Sequence, residues 1–175
     1  MQCIYLLIGP KGSGKTYIGT LLESRTGIPF VRVEDIALRV QRDRAYDDRR
    51  YVHEVFGAIE AAIRDRLRTV PELVFESTGL TDAFDAMLRN LQASFRVVLI
   101  RIAADPGNCA RRVQHRDLSQ HVNVSDAQVR AINAQATAKP FSFDGVIAND
   151  DASPEAILDA FARLREAALS PPPAT

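Results

Sequence analysis

Gly9-Pro10-Lys11-Gly12-Ser13-Gly14-Lys15-Thr16 is the stretch that decides the fold of this chain. It fits GxxxxGK[ST] at every fixed position, directly after the apolar run Cys3 to Ile8 and directly before a helical pattern that starts at Lys15. A strand, a glycine-rich loop and a helix in that order form a phosphate cradle. The glycines let the backbone turn tightly, so that successive N–H groups face one anion, and the helix adds the positive end of its dipole. Lys15 is placed to reach the β- and γ-phosphates of a nucleotide, and the Thr16 hydroxyl to ligate Mg²⁺. The competing reading is a glycine-rich turn with an incidental lysine, and the full match in the right context weighs against it. Gly9, Gly12, Ser13, Gly14, Lys15 and Thr16 are therefore the expected nucleotide-binding set. Lys11 reads as a solvated side chain, because the backbone there already serves the anion.

Outward from the loop, three more apolar runs read as strands with no wet face: Pro29 to Val33, Leu73 to Phe75 with Glu76, and Phe95 to Ile102. Gly145 to Ala148 is a weaker fifth. Apolar runs bounded by turns and separated by helical patterns are the sequence form of a parallel sheet covered on both faces, so the fold class is α/β. The helices carry individual start signals. Thr81 is placed to cap a helix holding Phe84, Met87, Leu88 and Leu91; Asp105-Pro106 and Ser153-Pro154 each put a capping side chain before a proline at the first helical position. Ser125 with Gln128 reads as a capping box. A long stripe runs through Val52, Val55, Phe56, Ile59, Ile63 and Leu67. The predicted order is β-α-β-α-α-β-α-β-α-α-β-α, in one domain over 1–169, with 170–175 and its three prolines as a disordered tail.

Composition narrows the function classes. The chain has 175 residues, 46% hydrophobic and 25% charged, and its 22 basic residues balance 22 acidic ones. The global field that draws a protein onto nucleic acid or an anionic membrane is missing, although a local basic site stays open. No apolar run approaches the eighteen or so residues of a membrane span, and the short apolar start lacks the basic flank of a signal peptide, so a cytoplasmic location is expected. Cys3 and Cys109 have no CxxC or metal-ligand spacing and read as reduced packing residues.

The guanine-reading NKxD segment, the DxxG switch and the LSGGQ-like signature are all absent, and AAA-type motors usually need a longer chain, which makes these the weaker branches. What the sequence carries instead resembles the P-loop kinases of small molecules and nucleotides, a group that includes shikimate and gluconate kinases, polynucleotide 5′-kinases and zeta-toxin-like kinases. The resemblance spans Gln2 to about Ala168. It rests on Gly9 to Thr16, on Phe30-Val31-Arg32-Val33-Glu34-Asp35, on Val74-Phe75-Glu76-Ser77-Thr78-Gly79, on Val97 to Ile102 leading into Cys109 to Asp117, and on Phe143 to Ile147. It implies a three-layer α/β/α fold with a five-stranded parallel sheet in the order 2-3-1-4-5 and a short lid over about 117–138. It also implies ATP and Mg²⁺ as cofactors, and transfer of the γ-phosphoryl to a hydroxyl or phosphate of a small molecule or nucleotide.

The same resemblance assigns roles. Asp35, at the carboxyl end of the second strand, is the expected general base, with Glu34 beside it as the alternative; a plain helix N-terminal carboxylate is the other reading of Asp35. Polynucleotide kinases favour an arginine three residues after this Asp, and Leu38 stands there, which argues against a polynucleotide acceptor. Glu76 is expected either to orient a Mg²⁺-bound water or to face substrate. Arg112 and Arg116 fit the R-x3-R pattern at the lid entrance, one for adenine and the other for the transferred phosphate, or else form a solvated basic face. Asn149 to Ser153 is the loop expected to pack on adenine through its backbone. The charged cluster Arg42 to Arg50 lies where such kinases close over substrate, while His53, His115 and His121 read as surface or supporting residues. An ATP-binding, slowly hydrolysing regulatory module with a protein partner is the alternative function. The chain is expected as a monomer or homodimer.

Overall fold

A computed structural model describes residues 2–41, 48–115 and 125–170. Arg116, His121, the first part of the expected lid, most of the charged cluster and the end of the tail lie outside the described residues. The elements follow the order β1 (Cys3–Ile8), α1 (Lys15–Thr26), β2 (Phe30–Val31), α2 (Val33–Gln41), α3 (Arg49–Leu67), β3 (Glu72–Ser77), α4 (Asp82–Gln92), β4 (Arg96–Ala103), α5 (Pro106–Gln114), α6 (Asp126–Ala138), β5 (Gly145–Ala148) and α7 (Pro154–Leu169). All strand pairs are parallel and the sheet order is β2-β3-β1-β4-β5. This is the P-loop NTPase α/β/α fold.

β1 is central because its six residues are buried on both faces, flanked by β3 and β4 in continuous register from Cys3 to Ile8. Alternate side chains enter opposite layers. Ile4, Leu6 and Ile8 join the cluster under α2, α3 and α4, whereas Cys3, Tyr5 and Leu7 join the cluster under α1 and α7. Burying each such side chain contributes about 1.5–3 kcal/mol, so the strand that carries the loop is also the most firmly held. On the α7 side the Tyr5 hydroxyl donates to Glu72 Oε1 at 2.7 Å, and Arg165 of α7 grips both oxygens of the same carboxylate. That arginine holds the Glu72 carboxyl below the usual range.

The capping signals operate as read. Thr81, Asp105 and Ser153 accept from backbone N–H groups of their helices, and Ser125 with Gln128 forms both bonds of a capping box. One boundary differs from expectation. The second strand is only Phe30–Val31, and helix α2 has begun by Val33. Val31 pairs with Phe75, but the chain then turns into a helix started by the acidic first turn Glu34 and Asp35, so the apolar run Pro29 to Val33 is shared between two elements. No helix among the described residues is long and apolar enough to cross a membrane.

Candidate functional site

The loop between β1 and α1 is shaped by its carbonyls. Lys15 Nζ donates to Gly9 O and Pro10 O, each at 2.9 Å. Asn133 Nδ2 donates to Lys11 O at 3.0 Å, Arg112 Nη1 to Gly12 O at 3.5 Å, and Asn149 Nδ2 to Ser13 O at 2.8 Å. Five consecutive carbonyl oxygens are thus each drawn to a side chain. The Gly9, Lys11 and Ser13 amides are engaged as well, by Ser77 O, Asn133 Oδ1 and Pro10 O, so an anion nest falls to the end of the loop and the first turn of α1. Glycine is required at two of these positions. Gly14 has φ +90° and a Cβ there would stand 2.0 Å from Asn149 Nδ2; Gly12 has φ +84° and its Cβ would stand 2.2 Å from the Cys109 carbonyl of α5.

Above the loop opens a cavity of about 820 Å³. Its lining takes in Lys11, Gly12, Gly14, Lys15, Thr16, Glu76 and Arg112 at and around the loop, and Glu34, Arg49, His53, Thr81 and Asp82 from α2, α3 and the start of α4. The expected loop lysine, hydroxyl and acidic residue therefore converge. Thr16 Oγ1 lies 2.8 and 3.0 Å from the two Glu76 oxygens, and the carboxylate is buried at the end of β3. Burial pushes the Glu76 carboxyl up, opposed first by the nearby Lys15 charge. Burial likewise lowers Lys15 to about 8, with Glu76 pulling the other way. A hydroxyl beside a buried carboxylate is an oxygen-only donor set, which fits Mg²⁺.

Three sequence expectations change. Asp35 does not line the cavity. Because α2 starts at Val33, Asp35 occupies the outer face of its first turn, 55% exposed and paired with Arg32 at 3.5 Å, while Glu34 lines the cavity. The buried Asn149 side chain also supports the loop from behind, a contact separate from the backbone packing on adenine that the resemblance implies. Ser13 is fully buried, its hydroxyl has no partner, its N–H donates to Pro10 O at 3.2 Å and its carbonyl accepts from Asn149, so it shapes the loop. Removing an unsatisfied buried hydroxyl is nearly neutral or stabilising by about 1 kcal/mol, so Ser13→Ala should keep nucleotide affinity and melt no lower than the wild type, by calorimetry and thermal unfolding. His53 and Arg49, one turn apart on α3, both reach the cavity.

Two further features carried no usable signal in the sequence. Thr81 has φ 85° and ψ 148°, a strained backbone for a β-branched residue, and it sits on the cavity wall while capping α4. Asn133, one of three carboxamides in α6, binds both the N–H and the carbonyl of Lys11.

The family model of the AAA domain matches residues 4–139. The chain belongs to the AAA domain family. No curated protein matches it. Solved structures share the fold of this AAA domain at low identity. A sugar kinase from Janibacter sp. HTCC2649 superposes with a TM-score of 0.69 at 14% identity, covering 98% of this chain and 100% of that one. A gluconokinase from Sinorhizobium meliloti 1021 gives 0.62 at 21% identity, covering 94% and 92%. The APS kinase CysC of Mycobacterium tuberculosis, solved with AMPPNP and APS, gives 0.65 at 16% identity, covering 94% and 98%. The AAA domain described here thus has the fold of small-molecule kinases over nearly its whole length.

Proposed function

We propose that this AAA domain is an ATP- and Mg²⁺-dependent kinase that transfers the γ-phosphoryl group to a hydroxyl or phosphate of a small molecule or nucleotide. The observation that carries the reading is the loop whose five carbonyls are all held by side-chain donors, with Lys15, Thr16 and Glu76 gathered at its lip. Thr16 and Glu76 would hold Mg²⁺, which supplies charge neutralisation at the phosphate oxygens. Lys15, released from the Gly9 and Pro10 carbonyls, binds the terminal phosphates. Arg112 holds the loop in shape and faces the same cavity.

Glu34, which lines the same cavity, would orient an acceptor hydroxyl and take its proton. A bond forms between the acceptor oxygen and the γ-phosphorus as the bond from that phosphorus to the β–γ bridging oxygen breaks, and ADP leaves. The Glu34 charge bears on both Lys15 and Glu76, so an acceptor hydroxyl held by Glu34 would stand beside the terminal phosphate, which favours transfer. The sugar, gluconate and APS kinases of the same fold make such acceptors the first to try.

The test is ATP consumption in Mg²⁺ across a panel of sugars, sugar acids, nucleosides and nucleotides, each compared with the acceptor-free rate. A kinase shows at least one acceptor that raises ADP formation well above that background and appears as a phosphorylated product. Tight ATP binding with the same slow hydrolysis across the whole panel would instead identify a regulatory module.

A further inference from the structure

We propose that Asn133 is a positioning residue that couples the phosphate loop to helix α6, so that nucleotide bound at the loop orders the α6 wall of the cavity. The proposal rests on the reading of the loop as a nucleotide site. Asn133 pairs its carboxamide with one residue's backbone at two points: Lys11 N–H donates to Oδ1 at 2.7 Å, and Nδ2 donates to Lys11 O at 3.0 Å. A planar amide that matches both backbone groups fixes orientation as well as distance, which a single hydrogen bond does not. Lys11 directly precedes Gly12, whose φ of +84° marks where the loop reverses. Holding Lys11 on both sides therefore fixes the approach to that turn.

The other loop supports come from elsewhere. Arg112 reaches in from α5, and Asn149 from the end of β5, the edge strand of the sheet. Asn133 comes from α6, a helix that lines the cavity through Gln128, Ala131, Ile132 and Gln135 on either side of it in sequence. The far end of α6 is tied down as well. Lys139, its C-cap, pairs with Asp85 of α4 and stands 5.5 and 5.2 Å from the ring centres of Phe84 and Phe141. The helix is thus held at its middle by the loop and at its end by the α4 wall. A change in loop order reaches α6 through Asn133, and α6 is a wall of the cavity where the acceptor must sit.

Hydrogen–deuterium exchange of the full chain, with and without AMPPNP and Mg²⁺, tests this. In the wild type AMPPNP should slow exchange in 9–16 and also, about 10-fold, in 125–138. Asn133→Ala should bind AMPPNP about 10-fold more weakly, keep the slowing in 9–16 at saturation and lose it in 125–138. Asn133→Asp, which keeps an acceptor for Lys11 N–H and loses the donor to Lys11 O, should fall between them and covers the case in which the alanine variant does not fold. A merely structural amide would speed exchange in α6 equally with and without nucleotide and leave the difference intact. The coupling is overturned if AMPPNP slows 125–138 in the variants as much as in the wild type, or if the wild type protects 9–16 and leaves 125–138 unchanged. Failure of AMPPNP to protect 9–16 at all would overturn the nucleotide reading, and with it the coupling.

Discussion

Lys15→Met is expected to lower phosphoryl transfer by at least about 10²–10³-fold, the scale set by removing one preorganised charge from a phosphoryl-transfer site, while leaving the fold intact. Lys15 is buried, and its ammonium is held by two neutral carbonyls rather than by an ion pair. A triphosphate offers Nζ charged oxygens in exchange, so the methionine variant, which keeps the stem, loses what the charge does. Its stability should not fall. The folded protein lowers Lys15 from 10.5 to about 8, so the protonated fold carries a desolvation cost that is present below pH 8 and relieved as the pH rises towards 10.5. Methionine carries no such cost, and the rise in stability across that window should vanish in the variant.

The same shift gives ATP binding a pH dependence. The bound state needs the ammonium, and the free protein sheds that proton above about 8. Affinity for ATP should therefore weaken by up to about tenfold per pH unit above 8, with a proton taken up on binding. Calorimetry at pH 7 to 9.5 in buffers of different ionisation enthalpy measures both. Affinity that stays flat to pH 9.5 would show that Lys15 keeps its proton when free, and full turnover in Lys15→Met would remove the loop from the chemistry altogether.

Glu34→Gln is expected to cut acceptor phosphorylation by about 10²-fold or more with little change in ATP affinity, whereas Asp35→Asn should stay within a few-fold of wild type. Adjacent residues on a helix point about 100° apart, and α2 has already begun at Val33, so only one of the two carboxylates can face the cavity. Glu34 does. Asp35 faces outward, and its exposed pairing with Arg32 contributes little. The measurement is the transfer rate to an acceptor found in the panel, alongside nucleotide affinity. Reversed sensitivities, with Asp35→Asn inactive and Glu34→Gln active, would return the base to Asp35. Loss of ATP binding in Glu34→Gln would make Glu34 part of the metal site, where its charge already bears on Glu76 and Lys15.

What was legible in the residues is what lies within a few positions along the chain. The phosphate loop, β1 from Cys3 to Ile8, β5 from Gly145 to Ala148, and the caps Thr81, Asp105, Ser125 and Ser153 are all read from local spacing, because hydrogen bonds within a turn and alternation along a strand depend only on near neighbours. The placement of Lys15, Thr16 and Glu76 followed as well, since Glu76 lies at the carboxyl end of a buried strand and Lys15 and Thr16 open the helix after the loop. Tertiary structure decided the rest. Where a strand gives way to a helix two residues early, the face that each carboxylate takes is set by the pairing of Val31 with Phe75 and by the packing of α2, so Glu34 and Asp35 could not be told apart beforehand. The amides of Asn133 and Asn149 meet the loop across 122 and 136 residues of chain. Nothing near either asparagine marks it, because the partner of each is a backbone carbonyl, a group every residue carries, and only the packing of α6 and β5 against the loop selects which one it meets.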